Sequence, residues 1–293
     1  MALFLSQLFT GLGNGVVYAS VALALVLIFR TTGILNFAQG EMALFATYVT
    51  WKLTEHGLPV VLCIIIAMVF AFVAGALIER ILIRPVENAS PLTVVIVTLG
   101  MFLAVNSLAQ LIFGTDSKQL PSPFPAKQWS VASTTISAQT IGLVGVLIAE
   151  CLVLYLLLQR TKLGLALRAV ANNTESSQLV GINSGMMLMV GWGMASALGA
   201  LAGAMVVPTQ PALVPSSLQS VLVLSFAAAA LGGFDSVLGA VVGGLIVGVA
   251  DAMTHQYVGA LDQIELAVPF GLILAVLLFR PNGLFGRSVV ERV

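Results

Sequence analysis

Residues 58–80 read LPVVLCIIIAMVFAFVAGALIER, an apolar run in which no charge appears before Glu79. A helix rises about 1.5 Å per residue, so about 20 such residues cross the ~30 Å hydrocarbon layer of a bilayer. One spanning helix is therefore predicted here. Working outward, the same pattern predicts spans at 7–29, 34–52, 91–113, 139–158, 186–207, 217–231, 237–254 and 263–279. Together they make about nine, within a range of eight to ten. The stretch 34–52 is interrupted by Asn36, Gln39 and Glu41, and 217–231 is short enough to be re-entrant.

Composition leads to the same class. Of 293 residues, 59% are apolar and 8% are charged, and the mean hydropathy is +1.07, whereas a soluble domain carries about 25% charged residues. The chain lacks the polar surface a water-soluble core needs. The expected fold is an all-α polytopic transmembrane bundle forming a single domain over residues 1–293, with about 8–10 spans.

Charge excludes some functions and orients others. The twelve Lys+Arg balance the twelve Asp+Glu, which leaves no excess to hold nucleic acid. Cys63 and Cys151 sit in apolar runs with no Cys or His at ligand spacing, so they read as packing residues and neither a disulfide nor a metal site is expected. The start, Met1 to Leu5, has no basic residue ahead of its apolar stretch, so the first span is expected to be retained. Short loops rich in Lys and Arg stay cytoplasmic. One set of loops holds Arg30, Arg80, Arg84, Arg160, Lys162, Arg168, Arg280, Arg287 and Arg292, and the other holds Lys52, Lys118 and Lys127. The N-terminus is thus expected outside and the C-terminus in the cytoplasm.

Two connections are long. The outer one, 114–138, carries Pro121, Pro123, Pro125 and Trp129 and reads as an ordered external loop. The inner one, 159–185, is too polar to span and too patterned to be disordered, with a helical stretch at 165–171, a break at Asn172-Asn173-Thr174 and a second short helical stretch. Small residues recur every four positions as Gly191, Ala195, Gly199 and Gly203, and again as Gly239 with Gly243 and Gly244 with Gly248. Such stripes let backbones approach closely in lipid, either within one subunit or at a dimer seam.

Catalytic patterns are missing. There is no P-loop, and His56 and His255 lie at external span ends without a nucleophile or paired carboxylates, so neither an enzyme nor a cofactor is implied. Polar residues at membrane depth carry the functional signal. In the stretch 30–41, Gly33 and Gly40 flank Asn36 and Gln39, and Glu41 follows just inside the second span. Glu41 either caps a helix start, where the dipole favours a carboxylate, or lines and gates a passage together with Asn36 and Gln39. Asn14, Thr98, Asn106, Gln110 and Asp251 extend a weakly polar route. Proton and sodium relays need chains of ionisable groups at depth, and their scarcity here disfavours the rival reading, an ion-coupled secondary transporter, while the polar helix breaks disfavour a third, a non-transporting scaffold.

Several segments carry a family resemblance. Glu175-Ser-Ser-Gln-Leu-Val-Gly181 resembles the Glu-Ala-Ala-x3-Gly signature with which ABC importer permeases dock their ATPases, with two serines for alanines and no downstream Ile-x-Leu-Pro. Residues 33–41, 160–173 continuing to 179–183, 229–240 and 278–286 resemble branched-chain amino acid ABC importer permeases of the LivH type, in the wider family of ribose-type permeases. The resemblance runs nearly end to end. It implies a permease subunit in a bacterial inner membrane, working with a second permease that is a paralogue or an identical copy. Two cytoplasmic ATP-binding subunits and a periplasmic solute-binding protein complete the implied assembly. It also implies that Arg168, Asn172, Glu175 and Gly181 contact the ATPase, and that branched-chain or related amino acids, urea, amides or aromatic acids are carried. The two halves of such a permease are related, and the glycine-bounded breaks 33–40 and 232–239 are candidates for equivalent turns. On the span count above they point to the same side, whereas inverted repeats point oppositely, so either the likeness is accidental or the count is off by one.

Overall fold

The apolar stretches become helices, in chain order α1 (Ala2–Thr32), α2 (Gln39–Glu55), α3 (Val60–Ile78), α4 (Pro91–Phe113), α5 (Ala138–Arg160), α6 (Lys162–Asn172), α7 (Thr174–Leu179), α8 (Ser184–Val206), α9 (Gln219–Gly232), α10 (Val237–Tyr257) and α11 (Ala267–Phe279). The structure, a computed structural model, describes residues 2–87, 89–131, 134–257, 267–280 and 282–286. Among these residues, α1, α3, α4, α5, α8 and α10 are each long and apolar enough to cross a membrane. The 14 residues of α9 reach only about 21 Å. The start of the ninth predicted span, 263–266, and Arg287 and Arg292 lie outside the described residues.

Two boundaries differ from the sequence expectation. The helix expected over 34–52 begins at Gln39 rather than at 34. Gly33 adopts a left-handed φ of 71° and closes α1 by donating its N–H to Phe29 O at 2.7 Å, and Asn36 Oδ1 then accepts the Ala38 N–H at 3.0 Å. Short polar side chains that bond nearby backbone compete in this way with the helix. The outer connection contains a hairpin of β1 (Gln128–Val131) and β2 (Thr134–Ser137), antiparallel, with Gln128 opposite Ser137 and Trp129 opposite Ile136. A separate bridge pairs Lys118 with Leu213.

The chain divides into two units, one of residues 1–26, 124–148 and 221–293 and one of residues 27–123 and 149–220. In the first unit, α10 turns its glycines onto neighbouring backbone. A Cβ at Gly244 would lie 2.7 Å from the backbone N of Ala19, and one at Gly248 would strike the Gly15 backbone. Cβ atoms at Gly239 and Gly243 would strike the carbonyls of Gly232 and Ala228 in α9. After α11 the chain returns to α9, where the Leu284 N–H donates to Leu231 O at 2.8 Å and the Phe285 N–H to Gly232 O at 3.0 Å. Two of the segments that carry the family resemblance, 229–240 and 278–286, therefore meet.

In the second unit, α8 packs against α2 and α3, and α4 packs on α2. The outer faces of α3 and α4 present bare apolar side chains, with Val69 61% and Leu111 83% exposed, as a lipid-facing surface does. The α8 stripe faces inward. A Cβ at Gly191 would come within 2.7 Å of Thr31 Oγ1, one at Gly199 within 2.6 Å of Gln39 Nε2, and one at Gly203 would strike Thr47 Oγ1.

Candidate functional site

A carboxylate taken out of water is costly unless it is hydrogen-bonded, and Glu41 is only 2% exposed. The break before α2 places it in that helix's first turn, where the dipole favours negative charge. Asn106 Nδ2 in α4 donates to Glu41 Oε2 at 2.7 Å, and Gln219 Nε2 at the start of α9 donates to Glu41 Oε1 at 3.4 Å. The same Asn106 amide donates to Pro215 O at 2.9 Å, and Gln110 Nε2, one turn further along, donates to Asn106 Oδ1 at 2.5 Å. Among the described residues both hydrogen-bond donors to the Glu41 carboxylate are thus side-chain amides.

Asn36 and Gln39 continue the network and are fully buried. Asn36 Nδ2 donates to Gln39 Oε1 at 3.1 Å, and Gln39 Nε2 donates to Ala195 O in α8 at 2.9 Å. The first turn of α2 is therefore tied by side-chain amides to α4, to α8 and to the start of α9. Each tie is made by a group that can exchange one partner for another.

The remaining polar span residues do not join this cluster. Thr98 is buried, but its hydroxyl donates to Val95 O of its own helix at 3.0 Å. Asn14 and Asp251 belong to the first unit. Asp251 Oδ2 accepts from Tyr18 OH at 3.0 Å, with His255 Nε2 3.7 Å from its other oxygen, and Asn14 is half-buried in α1.

The inner connection forms two short capped helices. Thr161 Oγ1 accepts the Gly164 N–H at 3.0 Å to start α6, and Asn173 Oδ1 accepts the Ser176 N–H at 2.8 Å to start α7. Arg168 is held by Gln159 Oε1 at 3.0 Å and Gly164 O at 3.3 Å. Asn172, Glu175 and Gly181 are exposed. Gly181 ends α7 with a left-handed φ of 84° and donates its N–H to Gln178 O at 3.0 Å. Beside it Leu179 and Val180 are 88% and 76% exposed.

A family model described as branched-chain amino acid transport system / permease component matches residues 7–277. The chain belongs to this family. The permease is 31% identical over 304 residues to the high-affinity branched-chain amino acid transport system permease protein LivH of Salmonella typhimurium, a match covering 99% of this chain and 98% of the relative. It is equally identical, over 303 residues and with the same coverage, to BraD of Pseudomonas aeruginosa. The fructose import permease protein FruF of Bifidobacterium longum is 26% identical over 203 residues, covering 67% of this chain and 53% of its own. The permease is therefore a multi-pass membrane protein with a polytopic helical fold, and its relatives are transport subunits.

Sequence reasoning missed two parts of the site region. Gln219 was hidden because it opens an apolar run that reads as a span; an amide at the edge of so short a run was the available signal. The permease also buries Glu79, 1% exposed, which accepts from Arg84 Nη2 at 2.9 Å and Nε at 3.3 Å, while Arg84 Nη2 donates to Gly185 O at 2.7 Å. Five residues apart, the two side chains would point away from each other on a regular helix. A single π-turn over Glu79–Ile83 brings them together, and Arg84 had been read only as a marker of orientation.

Proposed function

We propose that the permease carries branched-chain or related small amino acids inward across a bacterial cytoplasmic membrane. It would act as one of two permease subunits, with two ATP-binding subunits in the cytoplasm and a periplasmic binding protein delivering the solute. The observation that carries this reading is the match of residues 7–277 to the permease family, joined to full-length relatives named for branched-chain amino acid transport. Urea, short amides and aromatic acids suit the same fold, since a fold does not fix its solute. The uneven division of basic residues between the two sets of loops supports an outer N-terminus and a cytoplasmic C-terminus.

In this reading, α6 and α7 receive the push of the ATPases through Arg168, Asn172, Glu175 and Gly181. The cluster of Asn36, Gln39, Glu41 and Asn106 works as a latch. A hydrogen bond from a side-chain amide is worth about 0.5–1.5 kcal/mol net, so several broken and remade together can set the balance between two helix arrangements without large cost. Thr98, bonded within its own helix, and Asn14 and Asp251 of the first unit stay outside this latch.

The test is uptake of labelled leucine into membrane vesicles holding the full importer. Uptake is expected to stop when ATP is depleted and to persist when an ionophore collapses ion gradients. The opposite pattern would establish the ion-coupled alternative. For the docking segment, Arg168→Glu combined with Gly181→Pro is expected to abolish co-purification of the ATP-binding subunits, and intact co-purification would remove that assignment.

A further inference from the structure

Apart from the Glu41 cluster, the second unit holds a cleft of about 490 Å³ where the end of α1, the turn of residues 79–87, α7 and the first half of α8 face one another. That volume lies within the ~300–1,000 Å³ range of small-molecule sites. Its wall includes Glu79, Glu87, Glu175, Asn173, Gln178 and Trp192. Glu79 is answered by Arg84 at 2.9 Å. Glu87 and Glu175 form no ion pair among the described residues.

Two observations point to a ligand. Partial desolvation at the cleft wall first, and then the neighbouring Glu79 charge, push the carboxyl of the exposed Glu87 above the usual carboxylate range against the pull of Arg84. A group in that position gains from a cation placed beside it. Independently, Trp192 is 0% exposed and its indole Nε1–H has no acceptor among the described residues. A buried donor of this kind calls for an oxygen.

The kind of cation follows from the layout. No group of three carboxylate, His or Cys side chains among the described residues is arranged to hold a metal ion. Acceptors spread over the turn and α7 instead suit a cation that distributes its charge over several N–H groups, and the amides of Asn173 and Gln178 offer further carbonyl oxygens. We infer that this cleft binds a small organic cation, an ammonium or guanidinium group held by Glu87 and Glu175, which carries an oxygen atom that accepts from the Trp192 indole. Such an occupant ties α7 to the turn of residues 79–87. The inference is independent of which solute the permease carries.

L-Argininamide has both the cation and the carbonyl oxygen and serves as the probe. It is titrated into the full-length permease in detergent, with calorimetry and tryptophan fluorescence as readouts. A saturable single-site isotherm is expected, with much weaker binding of L-citrulline, a net-neutral zwitterion in which a urea replaces the guanidinium. Glu87→Gln and Glu175→Gln, both at exposed positions, are each expected to weaken binding about tenfold, as the loss of one charge-assisted contact does. Trp192→Phe keeps the ring and removes the N–H. It is expected to weaken argininamide several-fold and to leave agmatine, which has no oxygen, unchanged. Melting curves of each variant report folding, and where a variant fails to fold, the citrulline comparison on the unaltered protein decides. Absence of saturable binding, equal binding of citrulline, or indifference to both glutamine substitutions would overturn the inference.

Discussion

The glycine faces of α10 and α8 look alike in sequence and differ in what they meet. In the first unit, Gly239, Gly243 and Gly248 press against the backbone of α9 and α1. In the second, Gly191, Gly199 and Gly203 press against Thr31, Gln39 and Thr47, which are polar side chains. Backbone held in a helix cannot step aside, whereas a side-chain amide or hydroxyl can rotate and find another acceptor. Close approach in the first region therefore makes a fixed seam. The same small residues in the second make a seat for groups that can be rearranged, beside the Glu41 cluster.

The comparison breaks most readily at Gly248. Gly248→Leu is expected to cost about 3 kcal/mol or more, at or beyond the upper end of core overpacking, and to show as a collapse of membrane yield and of the melting midpoint. A normal melt would mean that the α10 seam is as yielding as the α8 face. Next in size, Glu41→Ala strands the Asn106 and Gln219 amides and is expected to destabilise by about 1–3 kcal/mol. Vesicle uptake should fall with it, while Glu41→Gln, which keeps an acceptor, should recover most of the stability. Unchanged uptake and unchanged protein level in Glu41→Ala and in Asn36→Ala would reduce residues 33–41 to structural filler.

A smaller effect sharpens the contrast. Gly199→Ala displaces the Gln39 amide, a movable group, and is expected to cost about 1 kcal/mol. In a double-mutant cycle with Gln39→Ala, melting midpoints should show a coupling of about 0.5–3 kcal/mol, since the two residues touch. Smallest of all, Thr98→Val removes a hydroxyl bonded only within its own helix, and is expected to shift stability by about 0.5 kcal/mol with uptake unaltered. A large loss of uptake would place Thr98 on the route after all.

What the sequence made readable was whatever depends on one segment at a time. Each apolar run became a helix, and the break at Asn172 to Thr174 became the joint between α6 and α7, because length, hydropathy and capping residues act locally. The stripes on α8 and α10 were visible as spacing. Their opposing groups were not, because four-residue spacing is silent about whether backbone or side chain lies across the gap. Asn36, Gln39, Glu41 and Asn106 came together, and Gln219 joined them unannounced, since a contact between residues 178 positions apart leaves no periodic trace. Arg84 and Glu79 were missed for a different reason. Their pairing needs a π-turn, a one-residue departure from regular helix that apolar patterning does not report.

The shortness of α9 has a consequence for whatever crosses. Non-helical backbone at membrane depth survives only where protein or water satisfies it, and side chains satisfy several backbone groups of the segment before α9. Gln210 Nε2 donates to Ser217 O at 2.9 Å, Ser217 Oγ donates to Ala212 O at 3.1 Å and accepts the Val214 N–H at 2.8 Å, and Asn106 reaches Pro215 O at 2.9 Å. A helix of about 21 Å set in a ~30 Å hydrocarbon layer leaves roughly two-thirds of the usual insulating thickness beside it. For the amino acid proposed as the solute, the dielectric barrier beside α9 would then follow the length of that helix, and lengthening α9 by a turn at its far end would raise it while leaving the polar cluster unchanged.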